Sequence, residues 1–275
     1  MKSILLATDY SKAASNGLQY AVALTKNSKA KLILFHVYDE PLPAADAPMV
    51  FPSAIKQYEE DNKRAIKILE RKILAQTSGK IKVESHIAPG LPVDEIIRIT
   101  KKKRVDLVVT GIPETSKVAK VFTGSTSTSL INKSRVPVLA VPVKSKFRKA
   151  KKIVLAYDYT KKINPHAVKA IRDFARLFKS QILVLNVVKL EEEPAYAKAK
   201  AMVSIKNALK GIKYRLFFSY SENIVDEINL FIRKHKASLL IMLPHKHPLM
   251  ERFLYPSNTK SMVFQTDIPL LSLHA

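Results

Sequence analysis

The octapeptide ILLATDYS, Ile4 to Ser11, returns further along the chain as IVLAYDYT, Ile153 to Thr160. In both, an apolar run stops at Asp, Tyr and a hydroxyl, and the two aspartates lie 158 − 9 = 149 residues apart. VPVLAV (Val136 to Val141) returns as IPLLSL (Ile268 to Leu273) with an offset of 269 − 137 = 132, and VDEI recurs at Val93 and Val225 with the same 132. The chain therefore reads as two copies of one unit, residues 1–145 and 150–275, joined by the basic stretch KSKFRKAKK (Lys144 to Lys152), a linker by composition. The offsets differ by 149 − 132 = 17 residues, and this difference must fall in the middle of each copy. There the first copy carries PLPAADAPMVFPSAI, Pro41 to Ile55, whose four prolines predict a loop, and the second carries a short EEEP turn.

Within a copy the order is regular. The runs KSILLATD, KLILFHVY, KIKVESHI, VDLVVTG and VPVLAVP are short and apolar, as strands buried in a parallel sheet should be. Between them apolar residues recur at helical spacing, as at Leu18, Ala21, Val22 and Leu24, or Ile66, Leu69, Ile73 and Leu74. Asp94, ahead of Glu95, Ile96 and Ile97, starts a third helix, and a fourth follows Gly124 to Ser127, hydroxyl residues suited to an N-cap. Strand and helix in alternation predict two tandem α/β domains, each a doubly wound, five-stranded parallel sheet with helices on both faces.

The chain has 275 residues, 47% of them hydrophobic, enough for two domains with cores of their own. It contains no cysteine, which removes disulfides, thiolate metal sites and cysteine nucleophiles. Asp9 interrupts the first apolar run too early for a signal peptide, and no uncharged apolar run reaches the ~18 residues of a membrane span. A cytoplasmic protein is expected. The formal charge of +24 favours contact with polyanions or acidic surfaces.

Average usage would supply about 19 glycines, yet there are six. Two stand in GIPETSKVAKVFTGSTSTS, Gly111 to Ser129, directly after a strand. In a doubly wound sheet the ligand crevice lies beyond the carboxyl ends of the strands. A phosphate there needs main chain without a Cβ in the way at Gly111, and Gly124-Ser125-Thr126-Ser127 offers N–H groups at a helix N-terminus, with hydroxyls that can donate as well.

The spacing from Gly111 through position 114 to Gly124-Ser125 resembles the G-x-x-G, nine residues, G-[ST] signature of the universal stress protein family. LLATDYS, FHVY, GLPVDEII and VPVLAVP are similar to that family's other segments, so nearly the whole chain resembles a tandem universal stress protein. The resemblance implies a Rossmann-like, adenine nucleotide alpha hydrolase-like domain, ATP binding where the signature is kept, and pairing through the last strand. Carried over by position, Asp9 and Val37 face the adenosine portion, Gly111 cradles the phosphates, and Gly124, Ser125, Thr126 and Ser127 hold their far end. Glu114 stands where the signature has glycine. A carboxylate ~5 Å from a phosphate charge costs about 3 kcal/mol at an effective dielectric near 20, or about a hundredfold in affinity. A bridging Mg²⁺, or Lys117 and Lys120, would offset it. In the second copy the 132 offset puts Leu243, Pro256 and Glu222 where Gly111, Gly124 and Gly90 stand, so that site is expected to be empty, leaving Asp158 as a relic of strand-end geometry or, by preference, a helix-capping group.

Other constellations carry less. His245 and His247 lack a third ligand, His36 lacks a paired carboxylate, and no G-x-S-x-G, G-x-x-x-x-G-K-[ST] or G-x-G-x-x-G motif occurs. Nothing demands an enzyme, and any ATP turnover would be slow and incidental. KKKR (Lys101 to Arg104) suits a helix C-terminus, and interleaved aromatics that would stack nucleic-acid bases are missing, so nucleic acid is not the expected partner. The expected function is a stress-associated regulatory protein with an adenine nucleotide in its first copy. The second copy is a structural partner paired edge to edge through Pro137 to Val141 and Pro269 to Leu273, with a further homodimer left open. The alternative is a basic scaffold that binds no nucleotide and meets an acidic protein, RNA or an anionic membrane.

Overall fold

A computed structural model of the chain describes residues 1–39, 52–113, 126–158, 163–188, 195–244, 262–263 and 265–273. The first half runs β1 (Ser3–Ala7), α1 (Lys12–Ser28), β2 (Lys31–Tyr38), α2 (Pro52–Gln76), β3 (Lys82–Pro89), α3 (Pro92–Lys102), β4 (Leu107–Ile112), α4 (Thr126–Lys133) and β5 (Val138–Pro142). The second repeats it as β6 (Lys152–Ala156), α5 (Pro165–Phe178), β7 (Gln181–Val188), α6 (Ala195–Ala208), β8 (Tyr214–Tyr220), α7 (Ile224–His235), β9 (Leu239–Met242) and β10 (Leu270–Ser272). Because both sheet faces are covered, adjacent strand residues are both buried: Leu5 and Leu6 are each fully enclosed. Leu6 packs with Tyr20 of α1 and Ile73 of α2 on one face, and Leu5 with Ile99 of α3 and Leu130 of α4 on the other.

All ten strands lie in one sheet, in the order β3-β2-β1-β4-β5-β10-β9-β6-β7-β8. Each half is parallel and doubly wound, as expected. Between them β5 and β10 pair antiparallel, with Ala140 opposite Leu270, Leu139 opposite Leu271 and Val138 opposite Ser272. These are the two edges that the sequence reading brought together. The pairing removes an exposed strand edge from each half.

Three local readings are corrected. Pro52 to Ile55 belong to α2 rather than to a loop: proline suits a first helical turn, where its missing N–H would find no partner anyway. As described, α2 is 25 − 14 = 11 residues longer than α6. The rest of that expected loop, Pro41 to Phe51, lies outside the described residues, as does the EEEP turn. Helix α3 begins at Pro92, two residues before Asp94, which sits in the first turn where a carboxylate favours the helix dipole. Asp158 does not cap α5. Asn164 does, its side chain accepting the Ala167 N–H at 2.7 Å, and α5 starts four residues later than the 149 offset from Lys12 predicts (12 + 149 = 161 against 165).

The linker is docked rather than loose. Asn16 of α1 donates to the carbonyls of Pro142 (2.7 Å) and Ser145 (2.6 Å), and the Tyr20 hydroxyl donates to the Lys146 carbonyl (2.8 Å). Phe147 stands edge-on to Tyr20 at 5.2 Å and 6.5 Å from Phe178 of α5, so it touches helices of both halves.

Candidate functional site

Strand order reverses between β1 and β4, where connections leave in opposite directions and the strand ends part. A crevice of about 310 Å³ opens there. Its floor is the strand ends: Thr8 and Asp9 after β1, Val37 of β2, and Thr110 and Gly111 of β4. Its walls are the first turns of three helices, with Ser11 and Ala14 from α1, Pro92 and Ile96 from α3, and Thr126 and Ser127 from α4. Each N-terminus carries unpaired N–H groups and about half a positive charge, so the convergence favours an anion.

Five of the seven residues singled out from sequence (Asp9, Val37, Gly111, Thr126 and Ser127) come together around this crevice. Gly124 and Ser125 lie outside the described residues, as do Glu114, Lys117, Lys120, His245, His247 and Pro256. Asp9 is exposed and its Oδ1 accepts the Ser11 N–H at 3.0 Å; the Ser11 hydroxyl in turn accepts the Ala14 N–H at 3.1 Å, capping α1.

Gly111 has a physical reason that the sequence reading missed. A Cβ there would lie 2.3 Å from the carbonyl carbon and oxygen of Ala13 and 2.6 Å from the Ala14 nitrogen. The glycine is required by the first turn of α1 packing on β4, which brings that helix N-terminus to the crevice. Ser127 is corrected as well. Its buried hydroxyl lies 3.0 Å from the Gly111 carbonyl and donates to it, so its proton ties α4 to β4 and is not left for a ligand. What α4 offers to an anion is main-chain N–H and Thr126, which lines the crevice.

Thr8, Thr110, Pro92 and Ile96 line the crevice without having been singled out. The signal for the threonines was adjacency: each directly precedes a residue already chosen at a strand end. Thr8 Oγ1 accepts the Tyr10 N–H at 3.1 Å, holding Tyr10 in a left-handed conformation at φ 62°. The Tyr10 ring meets His36 at 4.6 Å, and burial pushes its phenol up to about 12. His36 has partners on both ring nitrogens, the Thr8 carbonyl at 2.8 Å and Asn62 at 3.1 Å. In the second half Asn186 makes the equivalent bond to the Tyr157 carbonyl at 2.9 Å, which marks both side chains as ties between neighbouring strands.

The second half carries larger side chains at two of the matching positions. Tyr157, buried, stands at the position of Thr8. Leu243, also buried, follows β9 where Gly111 lies within β4. With a side chain there, a helix start cannot approach as α1 does, consistent with the later start of α5. Among the described residues no group of three or more His, Asp or Glu could hold a metal ion, and no helix is long and apolar enough to cross a membrane.

These features define a doubly wound α/β protein with a crevice at its topological switch point. Residues 1–142 match the universal stress protein family, and the chain belongs to that family. A universal stress protein of Methanocaldococcus jannaschii is 25% identical over 141 residues, covering 51% of this chain and 81% of its own. Universal stress protein YxiE of Bacillus subtilis is 30% identical over 145 residues, covering 50% and 97%. Over its whole length the chain superposes on the crystal structure of a universal stress protein from Archaeoglobus fulgidus, with a TM-score of 0.77, 19% identity and coverage of 99% and 98%. That likeness is one of fold, and it extends through both halves.

Proposed function

We propose that this universal stress protein binds one adenine nucleotide, ATP by preference, in the crevice of its first half, and that its second half is a structural partner without a site of its own. The observation that carries the reading is the convergence of three helix N-termini on one crevice beside Gly111. Val37, Pro92 and Ile96 offer an apolar wall for the base. Asp9 uses Oδ1 locally, and Oδ2 is the atom we assign to a ribose hydroxyl. The N–H groups opening α4 and α1 suit the phosphates, with Gly124 and Ser125 continuing that end in sequence, and any Mg²⁺ would be held chiefly by phosphate oxygens. No step of catalysis is assigned: the role is regulatory, in the cytoplasmic compartment that a cysteine-free sequence suits.

Thermal unfolding with and without MgATP tests the reading. A ligand at a hundred times its dissociation constant adds about 2.7 kcal/mol of stability, so a clear upward shift is expected. No shift, together with salt-sensitive retention on RNA or heparin, would favour the scaffold alternative.

A further inference from the structure

A second, larger groove of about 770 Å³ lies between the linker, the end of α7 and the entry to β10. The linker side presents Lys144, Lys146, Arg148, Lys149 and Lys151, followed by Lys152 at the start of β6. Arg233 and Lys236 face them from the end of α7. All eight are exposed, and among the described residues Asp267 is the one carboxylate lining the groove. A helix C-terminus accounts for Arg233 and Lys236, because cations there favour the dipole. It does not account for the linker cations, which belong to no helix.

The linker backbone that carries the cations is held in place. Asn16 and Tyr20 pin the linker backbone at Pro142, Ser145 and Lys146, the Ser180 hydroxyl donates to the Ala150 carbonyl, and the Gln181 N–H donates to the Lys151 carbonyl at 2.8 Å. Like charges gathered on a fixed backbone repel one another unless a polyanion neutralises them, so the arrangement is suited to such a ligand. The groove's one aromatic among the described residues, Tyr20, is buried and its hydroxyl is engaged with Ser145 and Lys146. A ligand gains phosphate contacts here but no stacking platform for bases.

We propose that this groove binds a linear polyanion of phosphate groups without bases, of the inorganic polyphosphate class, independently of the nucleotide crevice. The probe is medium-chain inorganic polyphosphate titrated into the full chain at several salt concentrations. Binding should weaken steeply with salt. The double variant Lys149→Glu/Lys151→Glu should lose about tenfold or more in affinity and flatten the log–log salt slope by about 1.4, on the order of 0.7 per lost phosphate contact. The double variant Arg71→Glu/Lys72→Glu, on the exposed face of α2, changes net charge equally and should leave binding nearly unaltered. Saturating MgATP should not displace polyphosphate. Equal weakening by both double variants would reduce the effect to net charge and overturn the proposal. Displacement by MgATP would place polyphosphate in the crevice, and preference for mixed-sequence single-stranded RNA would make the ligand a nucleic acid; either result also overturns it.

Discussion

Replacing Gly111 by alanine should lower the thermal midpoint by roughly 5–10 °C and abolish nucleotide binding. The added methyl would sit 2.3 Å from main-chain atoms of Ala13, where an ordinary contact begins near 3.4 Å, so α1 must retreat by about 1 Å or β4 must bend. Neither is a flexible side-chain end. Overpacking against backbone costs ~3 kcal/mol or more. Retreat of α1 also moves Ser11 and Ala14 away from the crevice, so stability and affinity fall together. Differential scanning calorimetry with a parallel MgATP titration measures both. An alanine variant as stable as the parent would mean that α1 does not press on β4 as described.

Leu271→Asp should be more damaging. Leu271 is fully buried, lies opposite Leu139 across the antiparallel seam and belongs to the same core cluster. An unpaired carboxylate there costs several kcal/mol by desolvation and removes the apolar contact that joins the halves. The midpoint should drop by about 10 °C or more, and the lysine-rich linker, now docked by Asn16 and Tyr20, should become open to trypsin. Register can be read directly, because the chain has no cysteine of its own. Val138→Cys with Ser272→Cys places two thiols on directly paired residues, within disulfide reach, whereas Val138→Cys with Leu270→Cys does not. A disulfide in the second pair and none in the first would contradict the seam.

Much of this architecture was legible because the chain repeats itself. The 149 and 132 offsets marked two copies, and the family resemblance pointed to the last strand of each as the edge that pairs. The crevice was legible as a set of strand ends, since a doubly wound sheet gathers them at one place whatever their side chains. What escaped were relations across sequence-distant elements. Nothing local in Gly111 tells of Ala13 pressing on it from α1, and nothing in Ser127 tells that its hydroxyl is spent on the Gly111 carbonyl. Asp158 matched Asp9 by offset, yet Asn164 caps the helix because the second half begins it later. The basic linker looked like a tether by composition, and only its contacts with Asn16, Tyr20 and Phe178 show it held against both halves.

The account turns on one nucleotide site per chain, in the crevice of the first half, with buried Tyr157 and Leu243 in the second half at the positions of Thr8 and Gly111. Calorimetric titration of the full chain with MgATP measures this directly. It should saturate at one nucleotide per chain; two sites per chain, or no binding heat at any attainable concentration, would contradict it.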